Sequence, residues 1–304
     1  PPTEQQRMSR PWSERFADTR HAGVVPGRTV QPARLARRAL PSPGSALLLV
    51  GAGLLALLIL APVAAIFGRV LPSGLLLTTL GRPIVVEALR LTALTTLLTL
   101  LVALVLGTPT AWLLARWRFP GRVLLDSLIE LPMVLPPAVA GIGLLMAFGR
   151  RGLFGPALEA LGINLSFTTA AVVLAQVFVA VPFYVRSARS GFLAVDRELE
   201  IVAHTLGVSR WATFWRVTVP VALPSLLGGA TMCWARALGE FGATIMFAGS
   251  FQGRTQTMPL AIYAALESDL EAALVLAAIL VAVSFVVLLV LRQAVGRLSG
   301  VADA

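Results

Sequence analysis

Arg236 and Glu240 stand four residues apart inside the otherwise apolar stretch 221–248. Charges placed in hydrocarbon are costly and face either a partner or a wet cavity, and at helical spacing these two can neutralise each other. One reading is a structural pair or a contact across a subunit interface. The sharper one is that Arg236 lends positive potential to a path for anions, with Glu240 fixing its rotamer. Nearby, the hydroxyls of Thr244, Thr255 and Thr257 and the backbone around Gly249 and Gly253 offer hydrogen bonds to an anion, while Gly249, Gly253, Thr255 and Thr257 read otherwise as an ordinary external turn. Catalysis has little to work with. All 25 basic side chains are Arg, which excludes a GK[ST] phosphate loop and a Schiff-base lysine. His21 and His204 lie in separate polar segments, so neither a metal cluster nor a Ser-His pair is available. Cys233, the single cysteine, can form no intrachain disulfide and reads as a small packed side chain. The chain is therefore expected to carry no catalytic residue and to bind no metal or cofactor itself.

The elements that hold these residues follow from composition. With 57% apolar and 13% charged residues and a mean hydropathy of +0.83, the chain cannot present a water-compatible surface, since soluble domains carry about 25% charged residues. It reads as an all-α integral membrane protein. Crossing about 30 Å of hydrocarbon takes roughly 20 apolar residues, and six runs suffice: 46–67, 89–115, 130–149, 168–186, 221–248 and 271–291. The third contains Pro132, Pro136 and Pro137, so it is expected to begin broken or kinked, which is tolerable only where neighbours or water satisfy the freed carbonyls. Pro136 and Pro137 thereby join Arg236, Glu240 and Thr244 as candidate pathway residues. Glu87 and Arg90 read as interfacial.

Residues 1–45 are rich in Pro and Arg and have the composition of a disordered tail. The run from 46 is expected to be an uncleaved first span rather than a signal peptide, because a leader of over forty residues exceeds a usual n-region, and Arg37-Arg38 reads as topology. Eighteen arginines fall in the tail, the 116–122 and 186–216 loops and the C-terminus, against five in the alternate loops. Basic residues are retained on the cytoplasmic side, so both termini and the 186–216 loop are expected inside. The net charge of +10 then needs no nucleic acid.

Within that loop, residues 198–220 read ELEIVAHTLGVSRWATFWRVTVP. Asp196 can cap a short helix with Glu198 and Glu200 in its first turn, and Gly207 can stop it in the left-handed conformation. A second helix starts at Ser209, placing Trp211, Phe214 and Trp215 on one face flanked by Arg210 and Arg216. The expected result is a compact helix-turn-helix knob. The plain alternative is a connecting loop with an aromatic anchor at the bilayer interface.

This segment resembles the EAA loop of binding-protein-dependent ABC importer permeases (type I, MetI-like), Glu-Ala-Ala-x3-Gly-x9-Ile-x-Leu-Pro, which docks into the ATPase subunit. Here Ile201, Val202 and Ala203 stand at the Glu-Ala-Ala positions, the acid sits one place earlier at Glu200, and Val217 and Val219 replace Ile and Leu before Pro220. Through the resemblance, Glu198, Glu200, Ala203, Gly207, Trp211, Phe214 and Pro220 are the candidate coupling residues. RALGEFGATIMFAGSFQGRTQTMPLAIY at 236–263 and VLPPAVAGIGLL at 134–145 resemble the molybdate branch of these permeases, with sulfate permeases carrying related strings. Gly239 and Gly242 would allow close helix approach.

The resemblance covers roughly residues 83–292. It implies a permease domain there, with its coupling loop at 196–220, preceded by the first span and an external loop at 46–82 and followed by a cytoplasmic C-terminus at 293–304. It further implies a multi-pass protein of a bacterial or archaeal inner membrane, working as the permease of a molybdate or tungstate importer. The expected partners are an ABC ATPase subunit that holds ATP and Mg, a periplasmic or lipid-anchored oxyanion-binding protein, and a second permease, commonly an identical copy. A sulfate or thiosulfate permease is the nearer alternative. An ATP-independent secondary transporter is the more distant one, and it has no use for a docking loop.

Overall fold

The computed structural model describes residues 43–300, so His21, Arg37, Arg38 and almost all of the expected tail lie outside the described residues. Those residues form helices joined by short turns, with no strand among them. In order they are α1 (Pro43–Ser73), α2 (Leu75–Leu80), α3 (Pro83–Val102), α4 (Thr108–Arg116), α5 (Arg122–Val134), α6 (Pro137–Phe148) and α7 (Gly155–Ala160). There follow α8 (Thr169–Ala194), α9 (Arg197–Thr205), α10 (Arg210–Thr213), α11 (Val219–Leu238), α12 (Gly242–Ala248), α13 (Met258–Ser268) and α14 (Leu270–Gly300). The chain divides after Leu57 into two units, and the packed core belongs to the second.

Five stretches are long and apolar enough to cross a membrane: Ser45–Pro72, Pro83–Arg116, Thr169–Ala194, Arg210–Leu238 and Leu270–Leu291. Two of them pass through a π turn, at Ala103–Gly107 and Phe214–Thr218. Each turn stands just before a proline, Pro109 or Pro220. A proline ring collides with the carbonyl four residues back in a regular α-helix, and the wider turn relieves that collision without ending the span. The second turn corrects the expected knob: its second helix is no separate unit but runs on into α11 as one span.

The expected third span is bent by 119° between α5 and α6. Pro136 drives Leu135 into extended backbone (φ −67°, ψ 134°), and Pro137 does the same to Pro136 (φ −55°, ψ 135°). The break expected from the prolines is present, but as a sharp turn between two helices rather than a kink in a straight one. The expected fifth span, 221–248, stops at Leu238, and α12 is a separate short helix after a three-residue break. The fourth runs to Ala194, beyond the expected 186. The sequence reading passed over α13.

Helix α8 is the centre of the fold and packs against α3, α4, α5, α6, α11 and α12. Small residues set its spacing to α11. A methyl on Gly191 would come within 2.5 Å of the Ser225 Cβ, and one on Gly229 within 2.8 Å of the Ser187 Cβ. The Ser187 hydroxyl donates to the Ser225 carbonyl across the same contact (2.8 Å). Such small-residue seams let helices associate where lipid offers no hydrophobic drive. Buried Tyr184, Phe192, Leu114 and Cys233 fill the core around this seam, with the Tyr184 hydroxyl bonded to Thr108 (2.6 Å).

Candidate functional site

The loop between α8 and α11 is built by its own caps. The Asp196 carboxylate accepts from the Glu198 amide (2.9 Å), and the Ser209 hydroxyl from the Ala212 amide (3.3 Å), each satisfying a donor orphaned at a helix start. Gly207 closes α9 with φ 82°, a conformation that a side chain would strain. The expected caps and stop are all in place.

Longer-range bonds tie this loop down. Arg116, the last residue of α4, directs Nη2 at both Glu200 Oε1 (2.9 Å) and the Val195 carbonyl (3.1 Å). The same carboxylate oxygen accepts from the Thr218 hydroxyl (2.8 Å). Arg116 and Thr218 escaped the sequence reading. A second pair, Arg189 on α8 and Asp126 on α5, sets one Nη1 at 2.5 Å from both carboxylate oxygens.

Trp211, Phe214 and Trp215 form one aromatic cluster with centroids 5.2 to 6.0 Å apart. Their roles differ. Trp211 is 71% exposed, whereas Phe214 is partly buried against Trp112 (5.6 Å) and Phe192 (6.1 Å). Phe214 thus belongs largely to the core, and Ala203 is buried too, so neither is a free docking contact. Glu198, Gly207 and Pro220 are exposed. Leu199 and Val202 on α9, with Leu206 just past its end, form an exposed apolar face at helical spacing. The hydrophobic residues of a mainly polar helix were the signal for that face.

The pathway candidates lie at or beside the two helix breaks, and Pro137 is at the crossing of α6 and α12. A methyl on Gly242 would come within 2.7 Å of the Pro137 Cβ, and one on Gly141 within 2.8 Å of the Ala243 carbonyl, so α6 and α12 cross at nearly backbone contact. Gly242 fulfils the expected close approach. Gly239 does not, because a methyl there would meet only its own helix, at 3.8 Å.

Glu240 corrects the expected pair on a single helix. It lies past the end of α11, in the break, with 1% of its side chain exposed. Its Oε1 accepts from the Ala243 amide (2.7 Å) at the start of α12, while Oε2 lies 2.8 Å from Arg236 Nη1, close in charge though not aligned as a hydrogen bond. Arg236 keeps 29% exposure. Of the candidates, Pro136 and Pro137 are exposed and Arg236 partly so, while Glu240 and Thr244 are buried within the chain.

Gly249 (φ 69°) and Gly253 (φ 72°) make the expected turn. The expected hydroxyl donors are not on its surface. Thr255 is buried, donates to the Gly249 carbonyl (3.2 Å) and accepts from the Phe251 amide (2.9 Å), and Thr257 is buried as well. Backbone turns consume polar side chains that a sequence displays as free. Among the described residues, no group of three or more His, Cys, Asp or Glu side chains can hold a metal.

A capped loop runs through a π turn into a membrane span at one end of α8, and two broken helices pack through glycines against its other end. The chain belongs to the family described as binding-protein-dependent transport system inner membrane component, whose model matches residues 103–299. Among its relatives, the molybdenum transport system permease protein ModB of Mycobacterium tuberculosis (strain ATCC 25618 / H37Rv) is 49% identical over 184 residues, 60% of this chain and 69% of that protein. ModB of Escherichia coli (strain K12) is 44% identical over 172 residues, 56% and 75% of the two chains. The sulfate transport system permease protein CysW of Synechococcus elongatus is 37% identical over 246 residues, 80% and 82%.

A chain of a bacterial alginate ABC transporter, solved with an alginate pentasaccharide-bound periplasmic protein, superposes with a TM-score of 0.62 at 15% identity, covering 83% of this chain and 93% of that one. A chain of the methionine transporter MetNI in inward-facing form gives 0.54 at 16% identity, covering 71% and 96%. These two likenesses establish the fold. Family and architecture agree with the resemblance carried by the EAA-like loop, and the chain is a multi-pass membrane subunit of a transporter.

Proposed function

We propose that this chain is the permease of an ATP-driven importer of molybdate or tungstate, with ATP and Mg held by a separate ATPase subunit and substrate delivered by an oxyanion-binding protein. The observation that carries the reading is the 49% identity to a molybdenum permease, set against 37% to a sulfate permease. The strings at 134–145 and 236–263, which resemble the molybdate branch, contain the two breaks and the glycines through which α6 and α12 cross.

The permease domain spans 83–292 with its coupling loop at 196–220. Both termini and the loop lie in the cytoplasm, as the arginine distribution supports. The ATPase docks on the exposed face of α9 together with Trp211, and a second permease, an identical copy, completes the path. Closure of the ATPases displaces the loop, and α11, which is continuous with it, swings the path between its two openings. Arg236 supplies positive potential for a dehydrated dianion, while buried Glu240 holds it and starts α12. Family membership removes the ATP-independent carrier as a competing reading.

The test is ATP hydrolysis by the permease and ATPase reconstituted together. The rate should rise with a receptor loaded with molybdate or tungstate. A rise only with receptors loaded with sulfate, sugars, amino acids or metal cations would refute the substrate class.

A further inference from the structure

The coupling loop is bonded to more of the membrane domain than its own two ends. Arg116 closes α4, and its Nη2 reaches the Val195 carbonyl just past α8 and the Glu200 carboxylate on α9. Glu200 Oε1 also takes the Thr218 hydroxyl from the π turn that leads into α11. One part-buried cluster therefore joins the ends of three membrane helices to the first loop helix. Arg116 keeps 8% exposure and Glu200 20%, so the charges are largely desolvated and well placed. Charge-assisted bonds in that setting are short and directional. Replacing a buried pair by apolar groups is often neutral for stability, so the pair is weak evidence of stabilisation and fits a positional role.

Its placement indicates what is being positioned. Val195 and Thr218 bracket the loop, and α9 hangs between them from the chain turn at Asp196. Without the cluster, α9 would be joined to α4 by no bond of its own, and a push on the loop would pass mainly along the covalent chain into α8 and α11. With it, the push also reaches α4, which leads through residues 117–121 to α5 and the α5–α6 bend.

We propose that Arg116, Glu200 and Thr218 form a strut that delivers displacement of the coupling loop to α4 and the bent helices, making Glu200 and Arg116 positioning residues of the transport cycle. The idea rests on the permease reading above.

The test uses the complete permease, ATPase and receptor assembly in vesicles, and reads substrate moved per ATP hydrolysed together with amide hydrogen exchange over α9. Glu200→Ala should lower the transport-to-hydrolysis ratio at least fivefold and speed exchange in α9. Thr218→Val, which removes one bond at nearly constant shape, should lower the ratio about twofold. Arg116→Lys, which keeps a positive charge facing Glu200 on a shorter side chain, should lower the ratio less than Glu200→Ala. A purely structural role would reduce transport and hydrolysis together and leave the ratio unmoved, and that result overturns the proposal. So does unchanged exchange in Glu200→Ala. Failure of the wild-type assembly to move molybdate or tungstate would refute the substrate reading instead; the ratio is then read with whichever loaded receptor drives transport, and unchanged exchange in α9, which needs no substrate, still overturns the strut.

Discussion

Removing either charge of the Arg236 and Glu240 pair should have unequal consequences, because the two sit in different surroundings. Glu240 is 1% exposed, with its carboxylate held by the Ala243 amide at 2.7 Å and faced by Arg236 at 2.8 Å. In Arg236→Gln the carboxylate stays buried with one neutral donor and no counter-charge, a defect that costs about 3–5 kcal/mol. In Glu240→Gln the amide oxygen still accepts from Ala243. Arg236, already 29% exposed, turns to water, so the loss should be about 1 kcal/mol, the difference between a charge-assisted and a neutral bond. With both changed, no buried charge is left, and the loss should return to about 1 kcal/mol. At roughly 2–4 °C per kcal/mol for a chain of this size, melting in detergent should fall by about 10 °C for Arg236→Gln and about 3 °C for the other two. Glu240→Gln melting at or below Arg236→Gln would refute the reasoning. Uptake by the same proteins separates the roles: recovery in the double variant would refute a pathway role for Arg236, whereas persistent loss with restored melting would support it.

Four further outcomes follow from the packing. Trp211→Glu, at an exposed site, should change stability by no more than about 0.5 kcal/mol yet reduce ATPase co-purification at least tenfold. Phe214→Ala should instead cost about 2–3 kcal/mol through lost contact with Trp112 and Phe192, so pull-down and melting together distinguish surface from core. Gly141→Val, placing a branched side chain 2.8 Å from the Ala243 carbonyl, should separate α6 from α12 at a cost of about 1–3 kcal/mol or more and abolish uptake; normal melting and uptake would show that this crossing is loose. Asp126→Asn should loosen α5 from Arg189, visible as faster amide exchange in α5 with α8 unaffected.

Local signals carried the coupling loop and non-local ones did not. Asp196, Ser209 and Gly207 act within three residues of themselves, and their caps and turn formed where their types implied. Arg116 and Glu200 are 84 residues apart, and nothing in either neighbourhood marks the other. Hydropathy located the spans but is blind to their breaks: averaged over 221–248 it stays apolar despite Glu240, and gives no sign that the helix ends before Gly239, Glu240 and Phe241. The prolines at 136 and 137 did announce a break, because their effect on the preceding residue is steric and local. Pro109 and Pro220 carried the same kind of signal for the π turns, but the first is hidden inside the apolar run 89–115 and the second reads as the end of the loop motif rather than as a residue within a helix. Thr255 looked available only because a turn's internal bonds are not written in residue type.

The central claim, ATP-driven import of a tetrahedral oxyanion, is tested most directly by uptake of labelled molybdate into vesicles containing this chain, its ATPase and its receptor. Molybdate should accumulate only with ATP and receptor present, should be displaced by unlabelled tungstate, and should be displaced far less by sulfate. Uptake that proceeds without ATP, or that sulfate displaces as well as molybdate does, would contradict the account.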